Sequence, residues 1–142
     1  MRALLDINVL IALLDGDHVH HKTAWAWFEN NIEPGWATCP ITQNGCIRIM
    51  SQPGYPNHFS CAEVADHLRT ATETRHHEFW SEPLSILDKQ LIDWQRIVGP
   101  KQLTDIFLLA LAVKNGGRFV TFDKKITASL VIGAGNEHYE VI

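Results

Sequence analysis

Three aspartates and one glutamine occupy positions that an α/β fold would bring to one edge of a sheet. Asp6 and Asp123 each directly follow a short apolar run, Asp105 opens an apolar helical run, and Gln43 lies in another predicted helix. Carboxylates that lie close together repel one another, and a bound divalent cation relieves that repulsion. The three carboxylates therefore indicate a divalent-metal site and phosphate chemistry.

A simpler interpretation of the same aspartates is also open. Aspartate is common at the first positions of helices and in turns, where its side chain accepts backbone hydrogen bonds. Gln43 adds a second reservation, because an amide oxygen can bind a metal but carries no negative charge and is a poor base. The ordered motifs described below favour metal binding over capping.

Composition restricts the classes of function. The 142 residues suit one domain, residues 1–142, and the formal net charge is −4. No overall basic field is present to attract nucleic acid, so RNA contacts would depend on local cations, for which Arg48, Lys124 and Lys125 are the candidates. No apolar stretch approaches the roughly 20 residues of a membrane span. The three cysteines lack metal-site spacing and predict free thiols in a reducing cytoplasm.

Strands alternate with helices along the chain. The predicted strands are 2–6, 36–39, 77–80, 118–122 and, at an edge, 139–142. Six helices are predicted. The first spans residues 8–14, the second is capped by Asp17 and reaches residue 31, and the third is opened by Thr42 and reaches residue 50. The fourth has a capping box at Ser60 and reaches residue 71, the fifth is capped by Asp88 and reaches residue 98, and the sixth spans residues 102–115. This alternation predicts a three-layer α/β/α domain with a mostly parallel central sheet of four to five strands.

The predicted fold explains why the acids would meet. In a parallel sheet the loops that leave the carboxyl ends of the strands form the ligand crevice. Asp6 and Asp123 stand at such strand ends. The crossover helices run back antiparallel to the strands, so the helix starts that carry Asp105 and Gln43 lie at the same edge. We therefore expect all four side chains at one edge of the sheet.

Four motifs resemble those of PIN-domain nucleases. The segment Leu5–Ile11 is similar to the opening motif of that family, and Thr42–Gly45 falls where the family usually carries a glutamate. The segments Leu103–Ile106 and Thr121–Lys125 match the third and fourth acidic motifs. The motifs occur in the family's order and cover nearly the whole chain, and the short length further resembles the VapC toxins of bacterial toxin–antitoxin pairs.

This resemblance implies a Mg²⁺- or Mn²⁺-dependent endoribonuclease, generally a homodimer, that is held inactive by a small VapB-like antitoxin. We expect Asp6 and Asp123 to be the principal metal ligands and Asp105 to bind metal or orient the attacking water. Asn8 is expected to position Asp6 or a water, and Thr104 to cap the helix near Asp105. Gln43 is expected to weaken metal binding relative to the glutamate usual at this place.

Two alternatives remain open at this point. The first is a degenerate PIN domain that binds RNA or antitoxin without efficient catalysis. The reason to consider it is that Gln43 replaces the glutamate that the family usually carries. The second is a phosphatase or phosphotransferase that uses Asp6 as a nucleophile. Such haloacid-dehalogenase-like enzymes usually carry an Asp-x-Asp motif, whereas here the residue two positions after Asp6 is Asn8.

Overall fold

Five short strands form one parallel sheet in the computed structural model, which describes residues 1–81 and 84–142. The strands are β1 (Ala3–Leu5), β2 (Trp36–Thr38), β3 (His77–Phe79), β4 (Arg118–Thr121) and β5 (Tyr139–Val141). Their order across the sheet is β3-β2-β1-β4-β5, and each neighbouring pair is parallel. Because β1 is the central strand, its carboxyl end lies at the middle of the functional edge.

Helices cover both faces of this sheet. They are α1 (Ile7–Leu14), α2 (His21–Asn31), α3 (Pro40–Met50), α4 (Cys61–Thr72) and α5 (Leu103–Lys114), with short 3₁₀ turns at Trp94–Arg96, Pro100–Gln102, Ala128–Leu130 and Asn136–His138. The three-layer α/β/α prediction is confirmed. No helix in the described ranges is long and apolar enough to cross a bilayer.

The strands alternate their side chains between two cores, as the pleat requires. Leu4 and Phe119 pack on the face that α5 covers. Ala3, Leu5 and Val120 pack on the opposite face with residues of α1, α3 and α4. Both faces of the central strands are thus buried, which accounts for their continuous apolar sequence.

The helix predicted from Asp88 to Val98 is wrong. Asp88 accepts a hydrogen bond from the Gln90 N–H and so closes a turn. The backbone that follows pairs with a distant segment instead of with itself: Ile92 forms an antiparallel bridge with Val131, and the Asp93 N–H donates to the Leu130 carbonyl at 3.0 Å. These pairings use the backbone groups that a helix would have needed.

Two predicted helix starts are displaced, and one is confirmed. The second helix begins at His21 rather than after Asp17, because Asp17 accepts a hydrogen bond from Asn57 instead of capping a helix. The third helix begins at Pro40 rather than Thr42, since proline suits the first helical position. The capping box at Ser60 is present as predicted.

Gly117 sets the approach of β4 to β1. A Cβ atom at this position would lie 2.6 Å from the Arg2 carbonyl oxygen and 2.6 Å from the Trp80 ring.

We therefore expect Gly117→Ala to lower the free energy of unfolding by about 1–3 kcal/mol, because the backbone must shift to relieve this overlap. Chemical denaturation measures the change. Gly54→Ala is the control, since nothing lies within 4 Å of its Cβ position, and equal stability of the two variants would contradict the prediction.

Candidate active site

Asp6 is fixed at the junction of the two central strands. Its backbone N–H donates to the Val120 carbonyl at 2.9 Å. Its Oδ1 accepts the Ile7 N–H at 2.7 Å, which makes Asp6 the N-cap of α1, and its Oδ2 accepts the Thr121 hydroxyl at 2.8 Å. Asp6 is only 5% exposed. The carboxylate is therefore held in one orientation by groups from both sides of the β1–β4 pair.

Asp123 follows β4 and is joined to a lysine. Its backbone N–H donates to the Thr121 hydroxyl at 3.1 Å, so Thr121 links Asp123 to Asp6. Its Oδ2 lies 2.7 Å from the Lys125 Nζ. The Tyr139 hydroxyl of β5 donates to the Asp123 carbonyl at 2.5 Å. Contacts from two strands thus fix the fourth acidic motif.

Asp105 lies in the first turn of α5, as predicted, and completes the cluster. Burial raises the pKa of Asp105 to about 6; the negative charges of Asp6 and Asp123 add to that rise, and Lys125 opposes it. Burial also raises the pKa of Asp6, and the Asp123 charge adds to the rise, while the hydrogen bonds from Thr121 and Ile7 counteract it. The three carboxylates are therefore close enough to repel one another.

The donor set suits a hard divalent cation. Asp6, Asp105 and Asp123 offer only oxygen ligands, and Mg²⁺ prefers a few carboxylates together with several waters. In the described ranges, no three His, Cys, Asp or Glu side chains already converge in a coordinating arrangement. Instead the Lys125 ammonium lies among the carboxylates and supplies positive charge there. The residues fit a metal by their chemistry, and a bound metal would displace or rearrange this ion pair.

Gln43 lies in the first turns of α3, where its side chain contacts the end of β2. Its Nε2 donates to the Thr38 hydroxyl at 3.0 Å, and the same oxygen lies 2.9 Å from the His77 Nε2. Gln43 also lines a cleft between α3 and α4 with Leu68 and Arg69. Gln43 thus lies near the carboxyl end of β2, where its amide belongs to a polar network with Thr38 and His77, and its expected part in the metal site stays a prediction.

The auxiliary residues Asn8 and Thr104 lie in the first turns of α1 and α5, and the expected cap at Thr104 is absent. Asn8 is exposed in the first turn of α1, beside Asp6. Thr104 is exposed inside α5, which begins at Leu103, so Thr104 is not the helix cap. Arg48 is exposed on α3 and lines a cleft with Thr104.

Lys124 and Lys125, the two lysines predicted to contact RNA phosphates, differ in their relation to the acids. Lys124 and Lys125 are both exposed. Lys125 is directed toward Asp123, so a contact between its ammonium and an RNA phosphate requires it to leave the carboxylates. Lys124 has no such constraint from the acids.

Sequence reasoning missed Thr121 and Tyr139. Thr121 donates to Asp6 and accepts from the Asp123 N–H, and Tyr139 has its pKa raised to about 12 by burial and then by the nearby charges of Asp105, Asp123 and Asp6. The signal for Thr121 in the sequence is its place in the fourth acidic motif, two residues before Asp123. The pairing of β1 with β4, which the structure shows, brings Thr121 beside Asp6.

Known proteins resemble this chain along nearly its whole length. The PIN domain family model matches residues 3–128. Ribonuclease VapC44 of Mycobacterium tuberculosis is 58% identical over 138 residues, 97% of this chain and 97% of that protein. Ribonuclease VapC39 of the same organism is 38% identical over 134 residues, 94% of this chain and 96% of that protein.

A solved structure shares the fold. The crystal structure of Mycobacterium tuberculosis VapC20, a sarcin-ricin loop cleaving toxin, superposes with a TM-score of 0.61 and covers 82% of this chain and 85% of that chain. Only 12% of the residues are identical, so this likeness speaks for the fold alone.

Crowding of the carboxylates has a consequence for stability in metal-free protein. The folded pKa of Asp105, about 6, lies above its ordinary value of 3.8. The folded state therefore binds the proton more tightly, and the cost of the ionised side chain to folding grows from about pH 4 and is complete above about pH 6. Because Asp105 is only half-buried and solvent screens part of this cost, we expect Asp105→Asn in EDTA at pH 7.5 to raise the free energy of unfolding by about 1–2 kcal/mol.

Denaturant titrations at several pH values measure this effect. The gain should shrink as the pH falls through 6 and vanish below about 4, where both states are protonated. Glu29→Gln, which makes the same chemical change on an exposed helix surface, is the control and should change little. A gain of the same size at pH 4 and pH 7.5 would mean that charge is not its cause.

Proposed function

The chain belongs to the PIN-domain family, as a VapC-type member, and on that premise we propose that it is a divalent-metal-dependent endoribonuclease that serves as the toxin of a bacterial toxin–antitoxin pair. The observation that carries the proposal is the mutual interaction of Asp6, Asp105 and Asp123 at the carboxyl edge of a parallel sheet. The ribonuclease names of the relatives support it. The aspartyl-phosphate alternative belongs to a different family and is set aside.

Each carboxylate has a role in this proposal. A Mg²⁺ or Mn²⁺ ion held by Asp6, Asp105 and Asp123 would supply an activated water and neutralise charge on the phosphate. Asp6, fixed through both oxygens by Ile7 and Thr121, is the rigid ligand. Asp105, in the first turn of α5, would bind the metal or orient the attacking water.

The surrounding residues orient the site. Thr121 holds Asp6 and Asp123 at a fixed separation, because one hydroxyl donates to the first and accepts from the second. Asn8, exposed in the first turn of α1, is placed to bind a water beside Asp6. Lys124 is a proposed RNA phosphate contact.

A second candidate function is a PIN domain that binds RNA or antitoxin without efficient catalysis. The observation that favours it is that position 43 carries an amide whose Nε2 is engaged in a hydrogen bond to Thr38. Since three carboxylates remain close enough to influence one another's charge, we favour an active nuclease in which Gln43 acts on the metal weakly or not at all.

The proposed partners follow from the family. We propose that residues 1–142 act as one PIN domain in a homodimer, in the cytoplasm, with a VapB-like antitoxin as inhibitor. The three free cysteines are consistent with a reducing compartment. An apolar cleft of about 190 Å³ between α1, α2 and α4, which includes the 40% exposed Trp25, supports the presence of a protein partner.

Cleavage of RNA tests the function directly. We expect the purified chain to cut total cellular RNA into discrete fragments in Mn²⁺, and EDTA or Asp6→Asn to reduce the rate at least about 100-fold, because both remove the metal-dependent charge stabilisation. Gel electrophoresis with sequencing of the fragment ends measures the cuts.

The same assay separates the two candidate functions. Gln43→Glu tests whether the amide limits activity. If the native chain is inert and Gln43→Glu cuts the same RNA, the non-catalytic function is correct and the nuclease proposal is wrong for this chain.

Lys125 gives a test of the metal site that needs no RNA. Its ammonium lies 2.7 Å from the Asp123 carboxylate and neutralises negative charge that a bound metal ion would otherwise neutralise. We expect Lys125→Met to tighten Mn²⁺ binding about threefold to tenfold, because the metal no longer competes with the ammonium. Isothermal titration calorimetry measures the affinity. Lys124→Met, the neighbouring exposed lysine, should change it less than about twofold, and equal affinities for the two variants would contradict competition.

A further inference from the structure

A cleft of about 390 Å³ opens between the starts of α1, α3 and α5, next to the chain positions of Asp6 and Asp105. Two of its lining residues, Ile7 and Thr104, are the chain neighbours of Asp6 and Asp105, and the Ile7 N–H donates to the Asp6 carboxylate. The volume falls in the range of about 300–1,000 Å³ that is typical of ligand pockets. A group attached to a phosphate at the carboxylates would therefore enter this cleft.

The wall of the cleft combines apolar surface with polar groups. Ile7, Pro40, Ile41 and Gly45 form the apolar part. Gly45 permits the close packing of α3 on α1, since a Cβ there would lie 2.4 Å from the Ile7 Cδ1. Asn44, Arg48 and Thr104 supply the amide, guanidinium and hydroxyl groups. An apolar platform with a few hydrogen-bonding side chains is what an unstacked nucleobase requires.

Arg48 is distinguished from the other arginines by its lack of a protein partner. Arginine side chains elsewhere pair with acceptors, as in Arg2 with Glu78, Arg69 with Asp66 and Arg118 with Glu140. Within residues 1–81 and 84–142, Arg48 has no hydrogen-bond or ion-pair partner, and the same holds for the Asn44 side chain. Asn44 precedes Arg48 by four residues, so the two side chains lie on one face of α3.

We propose that this cleft, the Asn44–Arg48 cleft, binds the nucleotide that flanks the scissile phosphate of single-stranded RNA, with Asn44 reading the base edge and Arg48 binding the adjoining phosphate. The proposal rests on the proposed ribonuclease function and adds its substrate subsite. Charge supports RNA as the occupant, because the cleft offers an unpaired cation beside a site built for phosphate. Single-stranded RNA fits since its bases are free to leave the stack.

Arg48 and Asn44 are expected to affect RNA binding in different ways. A phosphate contact carries no sequence information, whereas an amide that binds a base edge does. Loss of Arg48 should therefore weaken binding to every RNA alike, and loss of Asn44 should change which RNA is preferred.

Binding is measured without cleavage, in the Asp6→Asn background, by fluorescence anisotropy of labelled 12-nucleotide oligo(A), oligo(C) and oligo(U). We expect Arg48→Met to weaken binding of all three RNAs about fivefold to tenfold and to lower the salt slope by about one. We expect Asn44→Ala to reduce a preference among the three RNAs of at least about fivefold to less than about twofold. Sequencing of the ends cut in Mn²⁺ by Asn44→Ala on an otherwise native chain should show relaxed preference at one position next to the cut.

Matched controls exclude general effects. Arg75→Met removes the same charge just before β3, at the opposite edge of the sheet, and Asn30→Ala makes the same truncation on the exposed surface of α2. Neither should change affinity or preference more than about twofold. Asn44 and Arg48 are both exposed on α3, so their variants should fold normally, which circular dichroism verifies.

The outcomes separate this proposal from the function on which it rests. If the native chain cuts RNA and neither Arg48→Met nor Asn44→Ala alters binding beyond the controls, the subsite is wrong and the nuclease remains. If Arg48→Met weakens binding but the three RNAs bind equally before and after Asn44→Ala, base reading by Asn44 is wrong. If the native chain neither cuts nor binds RNA, the proposed function fails and the subsite fails with it.

Discussion

The hydrogen bond between the Thr121 hydroxyl and the Asp6 carboxylate is the contact on which the candidate site depends. It joins residues 115 positions apart and exists because β1 and β4 are neighbours in the parallel sheet. The same hydroxyl accepts the Asp123 N–H, so a single side chain fixes two of the three acids. The close approach of β4 to β1, which requires Gly117, is therefore a requirement of the site as well as of the fold.

Crowded carboxylates are unfavourable for folding, and the protein offsets part of that cost with its own groups. Thr121 and the start of α1 hydrogen-bond to Asp6, and Lys125 pairs with Asp123. Burial, and after it the remaining repulsion from Asp6 and Asp123, raises the pKa of Asp105. Functional sites commonly retain such unfavourable electrostatics because a ligand relieves them. Here the chemistry of the ligand that would do so is that of a divalent cation.

The sequence predicted the positions of the acids better than the directions of their neighbours. Strand ends follow from apolar runs and helix starts from caps, so Asp6, Asp105 and Asp123 were placed at one edge correctly. The direction of the Gln43 amide depends on Thr38 and His77, which come from two other strands.

The prediction of a helix after Asp88 was wrong for a similar reason. Its backbone pairs with Leu130 and Val131, about forty residues away, and no local pattern carries that information.

The separation of Asp6 and Thr121 in the sequence also has a consequence during translation, because Asp6 is synthesised long before Thr121. A growing chain that has not yet released β4 lacks two of the groups that define the site, Thr121 and Asp123, and leaves the Asp6 Oδ2 without its partner. The three-carboxylate site is thus incomplete on a nascent chain until the central strand pair has closed.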